Sequence, residues 1–404
     1  MTIAANTGPG LKTAQTATYS VILAVSLCHL LNDVMQSLLS AIYPMLKEEF
    51  ALDYWQIGML TLVFQFTASL LQPVVGIYTD RHPKPWSLPF AMASTFCGLL
   101  LLALAHSYVM MVMGACMIGL GSSVFHPESA RVARMASGGR YGMAQSVFQV
   151  GGNVGTAIGP LLAAFIVVPM GRGSVAWFSV LALVAILVLS WVSRWYAGIV
   201  RAAARGQAAD RTLPLPRRRV AVALVVLAFL MFSKAAYMAA LGNYYTFYLI
   251  ENFGLSTQQS QIMLFVFLAA AAVGTVFGGP FGDRLGHVTV MWVSILGVLP
   301  LTLLLPHVGL VGTGVLTVLI GLVMAASFPA IVVFAQNLLP GRIGMVSGVF
   351  YGLSFGMAGL TAAGLGVMGD HLGIVRVFEI CGWLPALGLL TVFLPRRSEW
   401  VRVG

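Results

Sequence analysis

Apolar residues run along this chain in twelve long blocks. They fall at about 19–43, 55–79, 86–106, 108–130, 141–168 and 174–197, then 219–250, 258–282, 287–306, 310–336, 342–368 and 373–394. A helix needs about 20 mostly apolar residues to cross roughly 30 Å of hydrocarbon, so each block predicts a membrane-spanning helix. Turn residues mark the joints, among them Pro83, Pro85, Gly138, Gly139, Pro340 and Gly341. The longest polar connection, 198–218, carries Arg201, Arg205, Arg211, Arg217 and Arg218 with Pro214 and Pro216. The pattern therefore predicts an all-α membrane protein. It has a tail (1–18), a six-helix bundle (19–197), a linker (198–218), a second six-helix bundle (219–395) and a closing tail (396–404).

Composition narrows the class. Hydrophobic residues make up 59% and charged residues 8% of the 404, with a mean hydropathy of +0.92. A soluble domain carries about 25% charged residues. The formal net charge of +10 does not point to nucleic acid, because the bases sit in the turns between blocks and not on one face. Counted by side, the tails and even-numbered connections hold 18 of the 22 Lys and Arg; Lys47, Arg172 and Arg376 fall on the other side and Lys234 inside a block. That split predicts cytoplasmic termini and a cytoplasmic linker. The cysteines, Cys28, Cys97, Cys116 and Cys381, all lie in apolar blocks without metal-ligand spacing, so neither a disulfide nor a metal is expected. The first block contains His29, Asn32 and Asp33, with no small-residue cleavage site after it, and reads as an uncleaved first span. No phosphate-binding Gly-x-x-x-x-Gly-Lys-Ser/Thr loop occurs, which argues against ATP as the energy source.

The two halves echo one another. Gly76-Ile77-Tyr78-Thr79-Asp80-Arg81 returns 203 residues later as Gly279-Pro280-Phe281-Gly282-Asp283-Arg284, and Gly139-Arg140-Tyr141-Gly142-Met143 returns after 202 as Gly341-Arg342-Ile343-Gly344-Met345. Gly119, Leu120 and Pro127 pair with Gly321, Leu322 and Pro329. Echoes in one order at one offset predict a duplicated chain. In a membrane protein they predict a transporter whose halves rock about a site between them. The fifth and eleventh blocks, mates in this scheme, share a high glycine content that lets helix backbones approach closely.

These residues resemble the major facilitator superfamily. Its turn between spans two and three, Gly-x-x-x-Asp-Arg/Lys followed by bases, reads here Gly76, Asp80, Arg81 and Lys84, and a second time Gly279, Asp283 and Arg284. The resemblance implies a cytoplasmic gate at Gly76, Asp80, Arg81 and Arg131, and at Gly279, Asp283 and Arg284. Gly155, Gly159 and Pro160 are similar to the Gly-x-x-x-Gly-Pro motif of the drug/proton antiporter branch. That branch's mid-membrane arginine in span four has no counterpart, since Arg131 and Arg134 stand at the end of the block. Closer still, His29-Leu30-Leu31-Asn32-Asp33, Leu71-Gln72-Pro73-Val74-Val75-Gly76, Phe125-His126-Pro127-Glu128-Ser129 and Leu339-Pro340-Gly341-Arg342 are similar to the fosmidomycin resistance protein family. This resemblance runs from about residue 20 to 395 and implies proton-coupled efflux of a small phosphonate antibiotic across a bacterial inner membrane by a monomer. The implied energy source is the proton gradient, with no other cofactor. The implied partners are an anionic drug, protons and membrane lipids, not nucleic acid.

An ionisable group at the centre of a span costs about 2.5–3.5 kcal/mol to insert and usually faces a cavity or a partner. Asp33 lies mid-block, and His29, Asn32, Asp33 and Gln36 form a stripe at helical spacing. Lys234 lies mid-block in the seventh span, the mate of the first. In the resembled family both spans border the central cavity. Two readings stand: Lys234 attracts the substrate anion while Asp33 carries the coupling proton, or the two form a permanent structural ion pair. His126, Glu128, Arg131 and Arg134 cluster near one end of span four, where Glu128 has either Arg131 or Arg81 as partner. His29, Glu128 and His126 join Asp33 as candidate proton carriers, because imidazole titrates near neutral pH. Asp80 and Asp283 are expected at the positive N-terminal ends of neighbouring helices. Candidate substrate contacts are Lys234, Asn32, Gln36, Gln65, the stripe Gln145, Gln149 and Asn153, and Tyr237 and Tyr244. For the tyrosines an interfacial belt is an equal reading. The competing functions are an importer or symporter of an organic anion on the same fold, since fold does not set direction, and a membrane-embedded enzyme. The enzyme would need a nucleophile and base or a metal set that the sequence does not cluster.

Overall fold

The computed structural model describes residues 17–42, 45–46, 49–52, 54–204, 213–395 and 399. Most of both tails and most of the linker lie outside the described residues, as do Lys12, Lys47, Arg205, Arg211 and the side chain of Pro160. Among the described residues there is no strand, and each apolar block is helical. In chain order the helical segments are Tyr19–Ala41, 54–81, Ser87–Ala103, Tyr108–Ala136, 141–170, 172–204, Arg217–Phe253, Thr257–Leu285, 287–307, 310–338, Ile343–Leu372 and 374–393. Ten of these are long and apolar enough to cross a membrane. The other two are Ser87–Ala103, which is apolar but short, and 141–170, which carries the Gln145–Asn153 stripe. The outer faces expose large apolar side chains such as Phe90, Phe165, Leu187 and Val311. A soluble protein does not tolerate such a surface, but lipid does.

Local chemistry sets the ends and irregularities. Ser107 caps the fourth segment by accepting from the Met110 amide, and Ser256 and Gln259 form a reciprocal capping box on the eighth. The seventh segment stops at Gly254, whose φ of +65° only glycine adopts freely. Single π turns interrupt the second segment at Phe66–Leu70 and the fifth at Ala163–Val167. Pro127 sits inside the fourth helix.

The chain divides into two compact units. One is built from the described residues up to Arg211 together with Leu339–Gly352; the other from Thr212–Leu338 and the described part of Leu353–Val403. The stretch Leu339–Gly352 comes from the second sequence half yet packs within the first unit. Within that unit the first and fifth segments form the most extensive packing, through the glycines of the fifth. A Cβ at Gly155 would overlap the Leu30 carbonyl, and one at Gly159 the Ser37 hydroxyl. The antiporter-like motif is thus where two backbones touch. In the second unit, Tyr237, Tyr245 and Tyr248 are fully buried among apolar side chains, in place of a belt at the membrane surface.

Candidate functional site

The polar stripe of the first segment faces inward. His29 and Asn32 have no exposed surface, and Asp33 is 8% exposed. His126 from the fourth segment, also fully buried, completes a cluster with them. His29 Nε2 lies 3.4 Å from Asp33 Oδ2, and His126 Nε2 lies 3.6 Å from Oδ1. Asn32 Nδ2 donates to Oδ1 at 3.0 Å, and the Thr156 hydroxyl donates to Oδ2 at 3.4 Å.

The outer nitrogens of the rings decide what this cluster can hold. His29 Nδ1 is 2.8 Å from the Phe148 carbonyl, and His126 Nδ1 is 3.0 Å from the Ser122 carbonyl. A carbonyl oxygen only accepts, so both rings keep a hydrogen on Nδ1 and turn Nε2 toward Asp33. The Ser122 hydroxyl, 3.1 Å from His126 Nδ1, passes its own hydrogen to Gln36 Oε1 at 3.2 Å. In neutral rings each Nε2 is a lone pair opposed to a carboxylate, and the arrangement attracts only once a proton enters it. Each of the three residues offers one ligand atom, and these atoms lie within 4.8 Å of one another, a spacing that would also admit a divalent cation.

A second network adjoins the cluster. Gln145 Nε2 donates to Tyr351 Oη at 2.7 Å, Tyr351 Oη donates to Gln149 Oε1 at 2.9 Å, and Gln149 Nε2 donates to Asn153 Oδ1 at 3.1 Å. The Tyr351 ring centroid stands 5.4 Å from that of His126 and 6.5 Å from that of His29. Ser122, Thr156 and Tyr351 are members that sequence reasoning did not assign to the site. Tyr351 had a signal: it stands 202 residues after Gln149, the offset of the repeat.

A third group surrounds Arg131. Its guanidinium pairs with Asp80 and with Glu128 Oε1 at 3.1 Å. It also donates to the Thr79 carbonyl at 2.7 Å, the Thr79 hydroxyl at 3.1 Å and Tyr196 Oη at 3.2 Å. The Asp80 carboxylate accepts from the amides of Gly344 at 2.9 Å and Met345 at 2.8 Å, the start of the eleventh segment. A side chain at Gly76 would overlap the Gly344 carbonyl. Of the two partners considered for Glu128, the structure selects Arg131, while Arg81 is exposed. His126 and Glu128, two residues and thus about 200° apart on one helix, belong to different groups.

The remaining candidates stand apart from these networks. Gln65 is half-buried at the end of Tyr54–Gln65. Lys234, in the second unit, places Nζ 5.1 Å from the Phe328 ring centroid and makes no ion pair among the described residues. Within its own unit Asp33 has the two histidines as counter-groups. Tyr237 is buried, and Tyr244 Oη donates to the Ala362 carbonyl at 2.6 Å. Gly279 is buried, while Asp283 and Arg284 are exposed.

Comparison with known proteins places this geometry. The family model described as Major Facilitator Superfamily matches residues 25–363 and, again, 224–400. The chain belongs to the Major Facilitator Superfamily. It is 58% identical over 377 residues to the fosmidomycin resistance protein of Escherichia coli (strain K12), covering 93% of each chain. It is 39% identical over 399 residues to the uncharacterized MFS-type transporter YfnC of Bacillus subtilis (strain 168), covering 96% of this chain and 97% of that one. Among solved structures, the fold is similar to the transporter FucP in the outward conformation, with a TM-score of 0.73 at 14% identity over 95% of this chain and 100% of that one. It is also similar to the human organic anion transporter MFSD10 (TETRAN), with a TM-score of 0.75 at 19% identity over 93% and 99%. This superfamily member is a multi-pass membrane transporter of small molecules, not an enzyme.

Proposed function

We propose that this transporter exports fosmidomycin-like phosphonates, and other small anionic drugs, across a bacterial inner membrane in exchange for protons. It does so as a monomer with both termini in the cytoplasm and needs no cofactor. The observation that carries the coupling is the Asp33 carboxylate held between two imidazoles whose Nδ1 hydrogens are already committed to carbonyls. Such a cluster offers a carboxylate and two imidazole lone pairs that a proton can join. The substrate class is supported by the relative's name and by Lys234, a cation inside a span without an ion-pair partner among the described residues. One proton crossing 100 mV supplies about 2.3 kcal/mol, enough for roughly a fortyfold gradient of a neutral solute. An anion leaving a negative-inside cell is helped further by the potential.

The test is uptake of labelled fosmidomycin into inverted vesicles, with and without a proton gradient, for wild type and Asp33→Asn at matched abundance. Wild type should accumulate drug only with the gradient, and Asp33→Asn should lose gradient-driven uptake while keeping drug–drug exchange. Unchanged proton-dependent uptake by Asp33→Asn removes the coupling role. Uptake that ignores the gradient but is abolished by a chelator reassigns the cluster to a metal ion. Accumulation driven only by the opposite gradient makes the protein an importer.

A further inference from the structure

Tyr351 stands in the one stretch of the second sequence half, Leu339–Gly352, that packs within the first unit. It is 1% exposed, its ring lies against His126 and His29, and its hydroxyl is fixed between Gln145 and Gln149. With this ring in place both imidazoles have no exposed surface, and the only part of the cluster that keeps any is Asp33. The groups facing one another here are Asp33 and His29 from the first segment and His126 from the fourth. The fifth segment contributes only uncharged Gln145, Gln149, Asn153 and Thr156.

The stretch is held at two further points. The Asp80 carboxylate accepts from its Gly344 and Met345 amides, and its glycines abut the second segment, where a Cβ at Gly348 would overlap the Gln72 carbonyl and one at Gly352 the Ser69 carbonyl. These polar caps and close backbone contacts stand beside the buried side chains of Val346, Phe350 and Tyr351. In a transporter that works by alternating access, packing that closes a site to one side has to part when that side opens, and parting of this stretch would take Tyr351 from the histidines.

We infer that Tyr351 is the seal of the proton site: a positioning residue whose docking closes the imidazoles to one side of the membrane and ties proton release to the undocking of Leu339–Gly352. This rests on the proton-coupled reading above. It makes the aromatic ring, rather than the hydroxyl, the element that prevents protons from crossing without drug.

The test uses the full-length protein in liposomes loaded with a pH dye, assayed first without drug and then with fosmidomycin. Wild type and Tyr351→Phe should hold an imposed proton gradient. Tyr351→Ala and Tyr351→Leu, which remove the ring from beside His126 and His29, should leak protons about tenfold faster and lose gradient-driven transport by a similar factor. Melting temperatures and size-exclusion profiles in one detergent should match wild type for all three variants, which separates a lost seal from a lost fold. A tight Tyr351→Leu or Tyr351→Ala protein that still couples transport to protons overturns the inference. If wild type exchanges drug but ignores the proton gradient, the coupled reading itself fails, and Tyr351 seals nothing.

Discussion

Arg131, inside the fourth segment, and Arg81, at the end of the second, do different work. Arg131 is 3% exposed and serves Asp80, Glu128, both oxygens of Thr79 and Tyr196. The planar fork of guanidinium suits that many acceptors; an ammonium offers three donors from one point and cannot reproduce it. Arg131→Lys should therefore leave buried acceptors unpaired and destabilise the protein by about 2–4 kcal/mol. Arg81→Lys, at an exposed position, should change stability by no more than about 0.5 kcal/mol. Apparent melting temperatures of the two variants in one detergent check this: the first should fall by several degrees, the second should not move. Equal shifts would mean that the Arg131 contacts contribute no more than a surface charge. The Arg131 group was half legible in the sequence. The i to i+3 spacing of Glu128 and Arg131 gave their pairing, but nothing in local spacing showed that Tyr196 would reach them from the sixth segment.

At the scale of elements, the docking of Leu339–Gly352 depends on backbone approaching backbone. A Cβ at Gly76 would overlap the Gly344 carbonyl, and a carbonyl in a helix cannot rotate away as a side chain does. Gly76→Ala should thus push the stretch outward at a cost of about 1–3 kcal/mol. The readout is a cysteine at Val346, 2% exposed in this state, in a background with the four native cysteines replaced. Its alkylation by a small maleimide should be about tenfold faster with Gly76→Ala than with Gly76; equal rates would show that the contact does not hold the segment. The spans themselves were plain from the sequence because hydrocarbon imposes a length that a run of apolar residues displays. The partition at Leu339 was not, because it depends on one carboxylate meeting two amides 264 and 265 positions away. The same limit hid the joining of His126 to His29 and Asp33: a stripe on one helix shows its own spacing but not the face that will oppose it.

At the scale of the molecule, the arrangement of charge bears on orientation in the membrane. The tails and the even-numbered connections carry most of the bases, whereas Arg172 lies on the sparse side, where it pairs with Glu49 at 3.0 Å and caps the third segment at the Leu102 and Ala103 carbonyls. Bases are retained on the cytoplasmic face during insertion, so the Asp80–Arg131 group should face the cell interior and Arg172 the exterior. Two exposed positions report on this without disturbing packing: His82, in the turn after the second segment, and Gly173, where an added Cβ meets nothing within 4 Å. In a cysteine-free background, Gly173→Cys should react with a membrane-impermeant maleimide in intact spheroplasts, and His82→Cys only after permeabilisation. The reverse pattern would invert the protein in the membrane. The joint at Tyr351 would then face the outside of the cell.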